Sequence, residues 1–292
     1  MTSVKKYASA GALRRALEDR LRHTASAQQI DLARLRRQVT FDRLLVRLFH
    51  SNEALWALKG GYAMELQLQV ARTTVDIDLT LHATLNLSSE AASANAAVRE
   101  MLQESAGLDL GDWFVYTIGS PIMELDAAPY GGARYPVECR MDGRIFSRFH
   151  LDVGIGDVVM QPLQTIRGQD WLGFAGIPAA TVRLTPKEQQ VAEKLHAYTL
   201  PRNTPNSRVK DLVDLLLLIR SGEVHREKLP EAIRLTFERR KTHALPTQLA
   251  PPPESWETQF RTLTAECGLS AGLNDTFAEV TTFFEQLLGQ TN

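Results

Sequence analysis

Asp76 and Asp78, in Thr74-Val75-Asp76-Ile77-Asp78-Leu79, stand two residues apart just after a glycine pair, Gly60-Gly61, and Asp152 follows far downstream in Phe149-His150-Leu151-Asp152-Val153. Side chains alternate faces along a β-strand, so Asp76 and Asp78 are expected on one face and Val75, Ile77 and Leu79 in the core on the other. Two carboxylates held side by side repel each other unless a cation lies between them, and an oxygen-only donor set on a rigid strand suits Mg²⁺ better than zinc or copper. The expected metal ligands are therefore Asp76, Asp78 and Asp152. Nucleotidyl transfer uses such a set: metal ions bridge the nucleotide phosphates and lower the pKa of the attacking hydroxyl, while fixed cations absorb charge on the departing pyrophosphate.

Other residues supply the remaining parts. Gly60 and Gly61 carry no side chains and let backbone N–H groups at the start of the next helix approach a phosphate. Lys187 and Lys194 are seven residues apart, about two helical turns, and are expected on one face toward a triphosphate. Asp211 and Asp214, three apart, share a face of the following helix. They could orient the lysines, contact ribose or base, or help deprotonate an acceptor. Each part has a plainer reading: Asp76 and Asp78 as a solvated strand face, the glycines as a turn, the lysines as a solvated helix face, and Asp211 with Asp214 as partners of Arg208 and Lys210. His196 reads as a packing residue rather than a ligand.

The elements that must position these residues follow from periodicity. Leu13, Leu17 and Leu21 form one helical stripe, and beyond Ala25-Ser26-Ala27 a second runs through Ile30, Leu35, Val39, Leu44 and Leu48. Trp56 to Lys59 reads as a strand ending at the glycines, Tyr62 to Val70 as a helix, and Ser88 to Ser105 as an alanine-rich helix capped by Ser88 or Ser89. Trp113 to Ile118 reads as a strand. Tyr135 to Met141 and Arg144 to Val153 flank Asp142-Gly143, a tight-hairpin dipeptide, and this hairpin delivers Asp152 to the sheet. Thr185-Pro186-Lys187-Glu188 has the form of a capping hydroxyl, a proline at the first helical position and a glutamate at the third, opening a helix to about Thr199. Pro201 to Ser207 reads as a loop, Val209 to Ile219 and Glu231 to Arg240 as helices, the four-proline stretch Leu245 to Pro253 as a strap, and Trp256 to Glu266 and Asp275 to Leu288 as closing helices.

The 292 residues suffice for a full core, and no apolar stretch has membrane-spanning length. Met1 to Ala10 lacks the apolar run of a signal peptide, which points to the cytoplasm. Cys139 and Cys267 read as small buried hydrophobes. The net charge of −1 conceals an asymmetry: basic against acidic residues number 11 to 4 over 1–50, 11 to 18 over 51–201, 10 to 6 over 202–241 and 1 to 6 over 242–292. An acidic middle could hold metal, and basic flanks could grip a polyanion such as RNA. The plainer reading makes Arg14, Arg15, Arg22, Arg34, Arg36, Arg37, Arg43 and Arg47 solvated helix faces.

These residues taken together resemble the AbiEii/AbiGii family of nucleotidyltransferase toxins, including the MenT-type enzymes, within the DNA polymerase β-like superfamily. Leu58-Lys59-Gly60-Gly61-Tyr62-Ala63-Met64 looks like the opening motif and Arg72 to Asp78 like the metal-binding motif. Lys187-Glu188 with Glu193 to Ala197, and Arg208 to Leu215, are similar to the third and fourth. The resemblance implies that Asp76 and Asp78 coordinate catalytic Mg²⁺, that Asp152 completes the set, that Lys194 contacts the nucleotide phosphates and that Asp214 is essential. It further implies a toxin of a toxin–antitoxin or phage-defence system, with a cognate antitoxin as partner, adding nucleotides from NTPs to the 3′ end of tRNA. Tyr62 departs from the family's hydroxyl residue after the glycines, and Val75 from its polar residue before the first aspartate.

The expected fold is a bilobed α/β protein, with a nucleotidyltransferase lobe on a mixed sheet over 1–184, a largely helical lobe over 185–292 and the active site in a cleft between them. Competing readings are transfer to a protein or small-molecule acceptor, and a noncatalytic module binding RNA or a partner.

Overall fold

The computed structural model describes residues 7–51, 55–68, 72–81, 88, 90–125, 128–202 and 207–289. Along the chain these form α1 (Ala10–Gln28), α2 (Leu32–Leu48), β1 (Trp56–Lys59), α3 (Gly60–Leu68), β2 (Asp76–Leu81), α4 (Ala91–Ala106), β3 (Val115–Ile118), β4 (Met123–Glu124), β5 (Gly132–Met141), β6 (Arg144–Ile155), β7 (Gln164–Arg167), β8 (Thr181–Leu184), α5 (Lys187–Thr199), α6 (Val209–Arg220), α7 (Leu229–Arg240), α8 (Glu257–Glu266) and α9 (Leu273–Gly289). The contacts divide the chain into two compact units, one of residues 1–58, 75–156 and 165–184, the other of 59–74, 157–164 and 185–292. The glycine pair and α3, placed by sequence in the amino-terminal lobe, fall in the second unit.

The first unit is built on one mixed sheet of eight described strands, ordered β3-β5-β6-β2-β1-β8-β7 with β4 beside β5. β6 runs antiparallel to β5 and parallel to β2, and β1 runs parallel to β8. The β5–β6 hairpin turns at Asp142 and Gly143, whose φ values of 56° and 68° match the doubly left-handed turn that follows strand twist. α1 begins at Ser9, whose hydroxyl accepts from the Ala12 N–H, and α2 at Asp31, whose carboxylate accepts from Ala33. α1 runs through Ala25-Ser26-Ala27, expected as the break, and ends where Gln29 turns left-handed. Ile77 and Leu79 are fully buried, but Val75, expected beside them, is 50% exposed: the strand begins only at Asp76, so alternation does not yet bind Val75.

The arginines of α2 do not all face water. Arg43 and Arg47 are 2% and 3% exposed and close on Asp112, itself fully buried. Arg43 donates through Nε at 2.9 Å, and Arg47 through Nη1 at 3.0 Å and Nη2 at 2.6 Å. A guanidinium presents several donors in a plane, so one carboxylate can neutralise two of them while backbone carbonyls of Pro178 and Phe114 take further N–H groups. These two side chains are core, neither a solvated face nor a grip for RNA. Arg36 is tied to Glu18. Cys139 is buried as expected, its thiol pushed up to about 12 by burial.

The second unit is helical around a core of Leu212, Phe260, Leu229, Trp256, Val280 and Phe284, to which Met64 of α3 contributes. Cys267 is buried there. Two expected caps differ. Thr185 does not cap α5: Pro186 occupies the N-cap, Lys187 is the first helical residue, and Thr185 Oγ1 has no partner among the described residues. α4 is preceded by Glu90 rather than capped by Ser88, whose hydroxyl accepts from the Glu90 N–H; Ser89 lies outside the described residues, as do Gln69, Val70 and residues 203–206 of the expected loop. No described helix is long and apolar enough to cross a membrane.

Candidate active site

In the first unit, parallel register sets Asp76 opposite His150 and Asp78 opposite Asp152 on adjacent central strands, while Ile77 and Leu79 anchor β2 from the other face. Arg134 of β5 stands opposite Asp152. Its Nε and Nη2 donate to Asp152 Oδ1 and Oδ2, both at 2.7 Å, and Nη2 reaches Asp76 Oδ2 at 3.3 Å. His150 Nδ1 lies 3.2 Å from Asp76 Oδ1. Hydrogen bonding to Asp152, with the charges of Asp76 and Asp78, holds the Arg134 pKa above its ordinary value. Among the described residues no group of three or more His, Cys, Asp or Glu is positioned to share a metal ion. The cation between Asp76 and Asp152 is instead a guanidinium. The donor chemistry nonetheless fits a hard divalent ion: the carboxylates share a strand face, retain partial exposure, and already enclose a positive group.

The second unit holds the glycine and lysine residues. Gly60 has φ 68°, a left-handed conformation open to glycine at little cost, and starts α3. A Cβ on Gly61 would lie 2.5 Å from Thr74 Oγ1 and 3.4 Å from Arg72 Nη2. The turn is thus closed against side chains that only a glycine admits. Arg72 donates to both oxygens of Asp214 at 3.0 Å, and Lys194 Nζ lies 2.8 Å from Asp214 and 3.1 Å from Asp211. Burial opposes the charge on Lys194, but Asp214 and Asp211 outweigh it and raise its pKa. Burial likewise opposes ionisation of Asp214, and Lys194 and Arg72 hold it below the usual carboxylate range. Asp211 also faces Arg208, at 3.6 Å. Lys59, just before the glycines, is held by Asp157 and Glu193, which Arg240 shares.

Lys187 is placed elsewhere. It is buried and bound to Glu223, just beyond the carboxy-terminal end of α6, whereas Lys194 meets Asp211 and Asp214 in its amino-terminal half. Seven residues of α5 separate the two lysines by about 10 Å along the axis, and each meets a different carboxylate. His196 packs against Phe237, bonds to Thr242, and is driven down to about 3 by burial. Sequence reasoning assigned no role to Arg72, Arg134 or His150. Arg72 lies within the quoted aspartate motif and could have been found there. Arg134 could not be paired with Asp152 without the hairpin register.

A family model described as nucleotidyl transferase AbiEii toxin, type IV toxin–antitoxin system, matches residues 43–281. No curated protein matches. Among solved structures, the chain is similar to MenT4, a nucleotidyltransferase toxin from Mycobacterium tuberculosis H37Rv, at 16% identity with a TM-score of 0.53, covering 88% of this chain and 93% of that one. JHP933 from Helicobacter pylori matches at 14% identity with a TM-score of 0.43, covering 89% and 98%.

Proposed function

The chain belongs to the AbiEii nucleotidyl transferase toxin family, and on that premise we propose that it transfers a nucleoside monophosphate from an NTP to the 3′ end of tRNA. The ribose 3′-hydroxyl gives up its proton to water as its oxygen attacks the α-phosphorus, a new P–O bond forms, the bond from that phosphorus to the α–β bridging oxygen breaks, and pyrophosphate leaves. The observation that carries this reading is the register of β2 and β6, which brings Asp78 and Asp152 face to face beside Asp76.

Asp76, Asp78 and Asp152 would hold Mg²⁺, which supplies Lewis-acid stabilisation to the phosphates and acidifies the attacking hydroxyl. The chain's own residues do the rest. Backbone N–H groups at the start of α3 meet phosphate oxygens, which Gly60 and Gly61 admit closely. Lys194 stays charged at neutral pH and neutralises the pyrophosphate as it forms. Asp214 positions both Lys194 and Arg72, and Asp211 holds Lys194 from a second side. Lys187 is not assigned to the nucleotide. A cognate antitoxin is the expected protein partner, and the cytoplasm, where tRNA and NTPs lie, the expected compartment.

The test is incubation of purified protein with each labelled NTP, Mg²⁺ and total RNA. Label should enter tRNA, and Asp76→Ala should abolish it while leaving the fold intact. Unlabelled RNA with every NTP, or label in protein or a small molecule instead, refutes the tRNA reading. Growth inhibition unaffected by Asp76→Ala would favour a noncatalytic module.

A further inference from the structure

We propose that Arg134 is an internal counter-ion that competes with the divalent metal for Asp76 and Asp152, so that metal loading requires its guanidinium to leave the carboxylate face. The inference rests on the reading of these carboxylates as metal ligands.

The geometry is specific. Nη2 of Arg134 lies 2.7 Å from Asp152 Oδ2 and 3.3 Å from Asp76 Oδ2, so it fills the space a cation bridging the two carboxylates would need. Nε engages the other Asp152 oxygen at 2.7 Å, giving the paired, planar contact that suits a carboxylate best. A metal ion bridging Asp76 and Asp152 could not share that space with the guanidinium, since both are positive and both would need the same oxygens. The alternative to exchange is an empty face with Asp76, Asp78 and Asp152 repelling one another, which the arginine relieves while no metal is bound. The Arg134 side chain is 28% exposed, on a long flexible stem rooted in β5, which gives its head a route to solvent. The contact is set by backbone register, since Arg134 and Asp152 are direct cross-strand partners.

A protein that must first release Arg134 binds metal with an apparent Kd raised by the inverse of the released fraction. If the arginine is engaged about nine-tenths of the time, its removal tightens binding about tenfold. The experiment titrates Mn²⁺ alone, without nucleotide, into wild type, Arg134→Met, Arg134→Lys and Asp152→Asn, reading free Mn²⁺ by electron paramagnetic resonance, with the melting temperature of each variant before and after Mn²⁺. Arg134→Met should bind Mn²⁺ about tenfold tighter and gain more thermal stability from it than wild type. Arg134→Lys, which keeps the charge but loses the paired contact, should fall between. Asp152→Asn should weaken Mn²⁺ binding. Unchanged or weaker Mn²⁺ binding by folded Arg134→Met, with Asp152→Asn impaired, overturns the competition and leaves the metal reading standing. Asp152→Asn binding Mn²⁺ as wild type does overturns the metal reading and this proposal with it.

Discussion

Gly61 faces Thr74 so closely that a Cβ on the glycine would meet Thr74 Oγ1 at 2.5 Å, well inside any ordinary contact. Gly61→Ala should therefore displace the start of α3 and weaken NTP binding. Thr74→Ala removes the obstructing atoms, and Thr74 Oγ1 makes no hydrogen bond among the described residues, so its loss costs little. The double variant should recover a large part of the binding lost by Gly61→Ala, and a double-mutant cycle of nucleotide Kd values measures the coupling. Strictly additive losses would refute the steric account.

Asp112 neutralises two buried guanidinium groups, and burial raises its pKa less than Arg47 and Arg43 lower it. Removing it leaves Arg43 and Arg47 facing each other in the core without that partner. Asp112→Ala should destabilise the fold by about 3–5 kcal/mol, the scale for breaking a buried ion pair from one side. Urea denaturation followed by circular dichroism checks this. A loss below about 1 kcal/mol would mean that Asp42, 3.3 Å from Arg43, and the backbone carbonyls satisfy the arginines without it.

Asp42 behaves differently from most buried carboxylates here. Burial pushes it up to about 6, despite the N–H of Ala180 donating to it. The folded state then holds this proton more tightly than the unfolded chain does, so its contribution to stability is most favourable below about pH 4 and declines as pH rises to about 6. Asp42→Asn keeps an acceptor oxygen and removes the titration. The melting temperature of Asp42→Asn relative to wild type should increase between pH 4 and pH 6, corresponding to up to about 3 kcal/mol, and stay level above that. A flat difference across this window would count against the raised pKa.

Lys194 and Asp214 give the opposite acid limb. Asp214 is held low, so its stabilisation is present above the usual carboxylate range and lost as pH falls below it. Lys194 is held high, so its stabilisation is present below the usual lysine range and lost only at strongly alkaline pH. Asp214→Asn should lower stability at pH 7 by about 3–5 kcal/mol, because it strips one buried carboxylate from both Arg72 and Lys194. It should also flatten the acid decline in stability that wild type shows. Thermal melts from pH 3 to pH 8 test both effects together.

The local chemistry was legible in sequence wherever one element suffices. Alternation along β2 sends Asp76 and Asp78 to one side and Ile77 and Leu79 to the other, three-residue spacing pairs Asp211 with Asp214, and Asp142-Gly143 specifies its own turn. Position across elements was not legible. Counting back from the hairpin turn, pairs begin as Met141 with Arg144, and a regular ladder would put Leu151 opposite Arg134. An irregularity after Arg140 inserts one residue into β6, and Asp152 takes that place. A shift of one residue exchanges faces, so this single bulge decides whether Arg134 meets a carboxylate or a core leucine. Likewise, charge counting made Arg43 and Arg47 part of a basic flank, and only the distant Asp112, 65 positions beyond Arg47, allowed them inside. Local patterns read short-range sterics and alternation. Which buried charge finds which partner depends on long-range packing, and that is where the tertiary structure decided.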